Sequence, residues 1–326
     1  MQKHMASVIH ETGDPEVFQF EEIELLEPDS DEVLLRHTAI GVNYLDTYYR
    51  SGLYPIDLPA ILGDEAVGII KKTGNDVVDF KIGDRVAYPA CKGGGYAEVR
   101  VINSKQIVPV PESISDETVA ASLLRGMTVE YLVNRLYQIK SGDTILVHAA
   151  AGGVGLILCQ WAKHLGATVI GTVSTESKVT IAKEHGCDFP IVYTKVDFVE
   201  EVKKITEGKM IDVVYDGIGK KTFMDSLDCL RPRGLMVSFG NASGKPDPLD
   251  VLELSKKGSL FITRPTLFEY ARKYSELLAG AKAYFDMLEQ DIIKIKIGKR
   301  FPLKAAAEAH LYLQDRNQIG SPILLP

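Results

Sequence analysis

The chain has 326 residues, 45% of them apolar and 25% charged, with a formal net charge of −7. That length allows about two domains with a substantial buried core, and the composition excludes a disordered or fibrous chain. The acidic balance gives no reason to expect nucleic acid or an anionic membrane as partner. No apolar run reaches the roughly 18 residues of a membrane span, and the first residues, MQKHMASVIHETG, lack the sections of a signal peptide.

Residues 1–125 read as a β-rich region. EVLLRH (32–37), VGIIKKTG (67–74) and DRVAYPA (84–90) are short strand-like runs, punctuated by Gly, Pro and Asp. Near residue 126 the pattern changes. TILVH (144–148) precedes a helix at about 153–165, and TVIGTV (168–173) precedes one at about 177–185. PIVY (190–193), a helix at 197–207, IDVVYD (211–216), a helix at 220–230, LMVSFG (235–240) and SLFIT (259–263) continue the alternation. Strands without polar alternation, separated by helices, predict a parallel sheet covered on both faces. Six of them suit a doubly wound dinucleotide fold, so the expected class is α/β. Two helical stretches, about 269–289 and 302–314, close the chain. The four cysteines, Cys91, Cys159, Cys187 and Cys229, are scattered and form no CxxC pair. They read as buried reduced thiols in a cytoplasmic protein.

The stretch HAAAGGVGLILCQWAK (148–163) carries the chemistry. It reads Ala150-x-Gly152-x-x-Gly155, the dinucleotide fingerprint with alanine for its first glycine. Val154, Ile157, Leu158, Trp161, Ala162 and Leu165 form one apolar stripe at helical spacing, and Gly166 stops the helix. The free N–H groups at Gly152, Gly153 and Val154 therefore form an anion site for a diphosphate. His148, at the strand end, reads as structural. The second strand ends Gly171-Thr172-Val173-Ser174, without the carboxylate that usually binds a ribose diol. A small residue followed by Lys178 suits a 2′-phosphate, so NADPH is the expected cofactor. Glu176 reaching the ribose, with Lys178 merely solvated, is the other reading.

ILGDEAVGIIKKTGNDV (61–77) carries Gly63, Glu65, Gly68, Gly74 and Val77. It resembles the GHExxGxxxxxGxxV signature of the medium-chain dehydrogenase/reductase superfamily. Asp64 replaces the histidine that ligates catalytic zinc in the alcohol dehydrogenase branch, and Asn43 replaces its cysteine. The four-cysteine structural zinc lobe is missing, so no metal is expected. VNYLDTYYRSGLYP, HAAAGGVG and RGLMVSFGNASG make the whole chain similar to the zinc-free quinone oxidoreductases, the zeta-crystallin-like branch.

That resemblance implies a GroES-like β-rich catalytic domain over 1–125, completed by about 266–326, and a Rossmann cofactor domain over 126–265. The active site is expected in the cleft, and a homodimer through an edge of the cofactor-domain sheet. It implies that Asn43, Asp46, Tyr48 and Tyr54 line the nicotinamide and substrate cleft. Thr128 and Tyr131 become cofactor contacts, as do Gly217, Phe239, Asn241 and Arg264. Ser174, Lys178 and Tyr193 surround the 2′-phosphate, with Arg316 as a second cation. Plain structural alternatives stand beside these roles. Asn43 and Asp46 are also turn formers; Tyr48 and Tyr54 suit a core or rim, Tyr193 a strand end, and Arg264 and Arg316 surface ion pairs. The implied reaction is hydride transfer from NADPH to a quinone. An alkenal or enone reductase, a non-catalytic crystallin-like NADPH-binding protein and, third, a zinc alcohol dehydrogenase are the alternatives.

Overall fold

The computed structural model describes residues 3–315 and 319–326. They divide into two compact units, one of residues 1–127, 270–289 and 295–326, the other of residues 128–269 and 290–294.

The first unit is built on two sheets. The larger runs in the order Ile297–Pro302, Ser321–Leu325, Glu32–Gly41, Ala66–Thr73, Arg85–Tyr88 and Val108–Pro109, with Val99–Asn103 also paired to Glu32–Gly41. The smaller places His4–Ile9 between Phe18–Ile23 and Ala60–Ile61. Alternation along Glu32–Gly41 sends Val33, Leu35, His37, Ala39 and Ile40 inside. Val33, Leu35 and Ile40 join Ile9, Ile70, Val86, Tyr88, Tyr96, Phe301 and Leu324 in one core. The C-terminal strands thus complete a sheet begun some 290 residues earlier. The helix Tyr44–Arg50 interrupts the β-rich region, and Asp116–Ala120 and Leu123–Glu130 follow near its end.

The second unit is a six-stranded parallel sheet ordered Phe189–Val192, Thr168–Val173, Thr144–Val147, Ile211–Asp216, Leu230–Ser238 and Phe261–Thr263. This is the doubly wound order 3-2-1-4-5-6, with the direction of winding reversing between Thr144–Val147 and Ile211–Asp216. Leu146, Ile170, Val214 and Met236 pack with Phe198, Val202, Phe223 and Leu227 from the helices Phe198–Ile205 and Phe223–Asp228.

Several expected elements differ in detail. The helix expected at 220–230 is Phe223–Asp228, because Leu230 already pairs with Ile211 and opens the next strand. The stretch expected at 269–289 is two helices, Leu267–Tyr270 and Tyr274–Glu289. The stretch expected at 302–314 begins as a strand end, Ile297–Pro302, tightens through Leu303–Ala305, and becomes α-helical only at Ala306–Gln314. Leu123–Glu130 runs on into a wider π-helical turn, Tyr131–Leu136, which periodicity does not reveal.

Candidate active site

In the second unit, the strand Thr144–Val147 leads through His148–Gly152 into the helix Gly153–His164. Gly152 is its N-cap, with an extended backbone and no side-chain cap, so the first N–H groups have no partner from the helix. The turn is held from behind. Ala150 N–H donates to the Thr172 carbonyl at 3.0 Å, and Gly152 N–H to that of Ala149 at 2.7 Å. Ala149 adopts φ 53°. A Cβ at Gly155 would strike the Ala149 carbonyl oxygen and approach Ala150 Cα to 2.9 Å, so this helix start tolerates no side chain there. His148 is structural, as expected: it is buried, with Nδ1 2.9 Å from Thr172 Oγ1 and Nε2 2.8 Å from Ser226 Oγ. Burial lowers its pKa.

Ser174 and Lys178 lie just beyond the second strand, both half-buried, and Tyr193 lies one residue past the third, exposed. Tyr193 N–H donates to the Val173 carbonyl at 3.2 Å and Thr194 Oγ1 to that of Ser174 at 3.0 Å, which ties the two strand ends together. The Glu176 carboxylate accepts from Lys195 Nζ at 2.7 Å. Arg316 lies outside the described residues. Gly217, Phe239 and Asn241 fall together on the loops leaving the fourth and fifth strands. Ala242 N–H donates to the Gly217 carbonyl at 3.2 Å, and a Cβ at Gly217 would lie 3.1 Å from the Phe239 ring. Arg264 donates to the Gly240 carbonyl at 3.0 Å and to Ser238 Oγ at 3.3 Å. Buried Asp216 fixes these loops by accepting from Ile218 N–H at 2.7 Å, Gly219 N–H at 3.1 Å and Thr222 Oγ1 at 2.9 Å. Thr128 lies within the helix Leu123–Glu130 and Tyr131 begins the turn after it; both are buried.

In the first unit, Asn43 and Asp46 start the helix Tyr44–Arg50. Asp46 Oδ2 accepts from Asn43 N–H at 2.7 Å, the return half of a capping box. Tyr48 and Tyr54 meet edge to face with centroids 5.2 Å apart, and Tyr49 meets Tyr54 at 6.0 Å. Tyr49 and Tyr54 help line a pocket of about 570 Å³, which Lys92 also reaches. Asn43 and Asp46 are buried, whereas Tyr48 and Tyr54 are half-buried.

Behind them lies a polar network that sequence patterns do not show. The Asn43 amide donates to Glu65 Oε1 at 2.7 Å, and Leu124 N–H to Glu65 Oε2 at 2.7 Å. Burial raises the Glu65 pKa to about 7 against the opposing charge of Arg125. Burial, and secondarily Asp64, also push Asp46 well above the usual carboxylate range. One arrangement gives every atom of the adjoining chain a single role: Arg50 Nη1 donates to His310 Nδ1 at 3.2 Å, His310 Nε2–H to Tyr96 Oη at 2.9 Å, and Tyr96 O–H to Asp46 Oδ2 at 2.8 Å. Gly63, at φ 94°, brings its backbone so close to Tyr96 that a Cβ would overlap the ring. Tyr96 and His310 carry no sequence signal, since the bond joins positions 214 residues apart. Glu65 was legible as part of the signature, though not its partners.

His310 makes this network acid-sensitive. Burial, and then Arg50, lower its pKa to about 3. Between that value and the unfolded value near 6.5 the unfolded chain binds a proton that the folded chain does not. The contribution is therefore complete above about pH 6.5 and is lost as pH falls toward the folded pKa. From about pH 6.5 to about pH 5 wild type should lose about 2 kcal/mol more stability than His310→Gln. Urea titrations at the two pH values check this; parallel losses would remove His310 as the cause.

The family models that match are the alcohol dehydrogenase GroES-like domain over residues 29–112 and the zinc-binding dehydrogenase over residues 153–287. A quinone oxidoreductase of Pseudomonas aeruginosa is 47% identical over 315 residues, 96% of this chain and 97% of that protein. A 2-haloacrylate reductase of a Burkholderia species is 46% identical over 329 residues, 99% of each chain. The crystal structure of Escherichia coli quinone oxidoreductase complexed with NADPH superposes with a TM-score of 0.97 at 45% identity, over 99% of this chain and 100% of that one. With a doubly wound sheet, a glycine-lined turn at its first strand and relatives matching end to end, the chain belongs to the medium-chain dehydrogenase/reductase superfamily, among its quinone oxidoreductases.

Proposed function

We propose that this protein is an NADPH-dependent oxidoreductase that reduces quinones without zinc. The observation that carries the reading is the Gly152–Gly155 turn, an uncapped helix start held against Ala149 and Ala150 just past the first strand of the doubly wound sheet. The residues fit a dinucleotide. Gly153 and Val154 offer backbone N–H groups to its diphosphate, whereas the Gly152 N–H, expected to join them, is engaged by the Ala149 carbonyl. Ser174, Lys178 and Tyr193 provide donors and positive charge for a 2′-phosphate, while Glu176 is engaged by Lys195. Gly217, Phe239, Asn241 and Arg264 hold the remainder with Thr128 and Tyr131. When bound, NADPH supplies the hydride that reduces the acceptor.

Tyr48 and Tyr54 offer aromatic surface to a planar acceptor and O–H donors to its carbonyl oxygen, where a donor stabilises the charge that develops. Asn43 and Asp46 act by position: their capping bond and the Glu65 contact fix the helix that carries Tyr48. These residues do not fit zinc. Asn43 stands at the cysteine position and its amide is committed to Glu65, and Asp64 Oδ1 accepts from Gly93 N–H at 2.5 Å. Among the described residues no three His, Cys, Asp or Glu side chains group to hold a metal.

One observation favours a second reading, reduction of an activated alkene: the Burkholderia relative is a 2-haloacrylate reductase. Following NADPH oxidation with 1,4-benzoquinone, an enone and an acrylate tests both, and quinone turnover with NADPH preferred over NADH is expected. Tight nucleotide binding with no acceptor reduced would leave a non-catalytic NADPH-binding protein.

The protein is proposed to act as a homodimer in the cytoplasm. No helix among the described residues is long and apolar enough to cross a membrane, and the four cysteines are free and buried. The edge strand Phe261–Thr263 carries exposed Phe261 (61%) and Ile262 (37%), an apolar edge suited to pairing with a second copy. Phe261→Lys should weaken dimerisation at least about tenfold in sedimentation equilibrium. A wild-type protein that sediments as a monomer would remove the proposal.

A further inference from the structure

We infer that Asp46 and Asp64 share one proton and supply it, through Tyr49, to the reduced acceptor, a step that rests on the quinone-reducing function above. Hydride addition to a quinone leaves a hydroquinone monoanion, which takes up one proton to become the hydroquinone.

Both carboxyls are fully buried, Asp46 on the helix Tyr44–Arg50 and Asp64 just before the strand Ala66–Thr73. Their hydrogen bonds are one-sided. Asp46 Oδ2 accepts from Asn43 N–H at 2.7 Å and from Tyr96 O–H at 2.8 Å, and Asp64 Oδ1 accepts from Gly93 N–H at 2.5 Å. The other two oxygens, Asp46 Oδ1 and Asp64 Oδ2, are also buried, and neither has a hydrogen-bond partner among the described residues. Bare carboxylate oxygens are costly inside a protein. A single proton on one of them, directed at the other, satisfies both. The two acids act on each other: after burial, Asp64 is the strongest influence raising Asp46. Like charges in one buried site cannot both ionise, so one proton stays.

The surroundings hold the pair at that one proton. Arg100, and then Lys92, oppose the burial of Asp64 and favour one negative charge there. Glu65 adds a like charge beside Asp46, and Arg125 feels both Glu65 and Asp46. Burial pushes up Tyr96, Tyr88 and Cys91, which stay neutral, and holds His310, behind Tyr96, neutral as well.

Tyr49 carries the proton outward. It stands three residues from Asp46 on the same helix, so the two share a face, and with Tyr54 it lines the pocket of about 570 Å³. Burial, and then Asp64 and Asp46, raise its pKa to about 12. It therefore remains a phenol and gives its proton to the hydroquinone oxygen only as it takes the shared one. The pair then regains a proton from solvent, so one proton leaves for each that returns.

The test follows the pH dependence of two quantities. Asp64→Asn keeps the volume and can donate to Asp46 Oδ1, yet it has no proton to give, and three donors then hold Asp46 as a carboxylate. In the full chain saturated with NADPH, wild-type kcat for 1,4-benzoquinone should fall at high pH as the pair ionises. Asp64→Asn should be at least about tenfold slower at neutral pH and lack that fall. Tyr49→Phe should lack it too. The folded chain keeps the shared proton where unfolded carboxyls, at about 3.9, have lost theirs. Its contribution to stability is thus complete below that value and is lost as pH rises through the folded one. From about pH 5 to about pH 9 the unfolding constant of wild type should grow at least about tenfold more than that of Asp64→Asn, in urea titrations without nucleotide. Tyr49→Phe should follow wild type here. Equal growth in wild type and Asp64→Asn overturns the proposal, as does a flat wild-type kcat profile or a fall that survives either substitution. If wild type reduces no quinone, the functional reading fails by itself, and the urea titrations still decide whether the proton is shared. Should Asp64→Asn not fold, Asp46→Asn carries the same readings, because either amide ends the sharing.

Discussion

Arg125→Met is expected to destabilise the protein by about 3–5 kcal/mol, because it leaves two buried backbone carbonyls without their donor and removes the cation that offsets the burial of Glu65. Arg125 is only 6% exposed. Its guanidinium donates to the Ala121 carbonyl at 2.7 Å, to the Val42 carbonyl at 2.6 Å and to Ser321 Oγ. It is also the cation that most offsets the burial of Glu65, whose pKa stands at about 7 even so. Methionine fills much of the volume but supplies neither charge nor donors. Val42 precedes Asn43, and Glu65 receives the Asn43 amide, so the damage reaches the start of the helix that carries Tyr48. The Glu65 pKa should rise above its present value in the variant. Removing both partners in Arg125→Met/Glu65→Gln should cost less than the sum of the single losses, by about 1–3 kcal/mol. Denaturant titrations of the four proteins measure this. A single variant that loses under about 1 kcal/mol, or strict additivity, would show that the pair does not support the fold.

Gly155→Val should abolish useful NADPH binding, raising Kd at least about a hundredfold, with a stability cost of about 1–3 kcal/mol. The first atoms a side chain would meet are the Ala149 carbonyl oxygen and Ala150 Cα, both backbone. Neither can rotate away. Ala149 is already at φ 53°, and its carbonyl is engaged by Gly152 N–H. The helix start must therefore withdraw from the turn, and the N–H groups that would grip the diphosphate withdraw with it. Calorimetric titration with NADPH reads the loss, and Gly155→Ala should fall between the two. A valine variant that binds NADPH as wild type does would mean that the diphosphate lies elsewhere.

Much of the second unit was legible in the sequence. The strand TILVH, the glycine turn and the helix after it are neighbours in the chain, and their spacing is set by local geometry. Apolar runs such as IDVVYD announce strands buried on both faces without any knowledge of their partners. The Ser174–Lys178 segment likewise follows its strand directly, so the choice of NADPH was open to inspection. Legibility fell where elements end. Leu230 looks helical by its neighbours, yet it pairs with Ile211 and begins a strand. Pro302 looks like a helix start and instead finishes a strand beside Leu325. In both places tertiary pairing overrides the local signal.

The sequence by itself determined the α/β class, the position of the glycine turn, the absence of the usual zinc ligands at Asn43 and Asp64, and the tyrosines of the VNYLDTYYRSGLY segment. The class and the turn follow from residue type at short spacing, which backbone sterics and helical or strand periodicity translate directly, whereas the zinc positions and the tyrosines are read through the resemblance to the family's motifs. Only the tertiary structure decided what stands behind Asn43 and Asp46: Glu65 against Arg125, and Tyr96 against His310. Those contacts join residues distant along the chain. Their protonation follows from burial and from neighbouring charge, and neither quantity exists until the chain has folded.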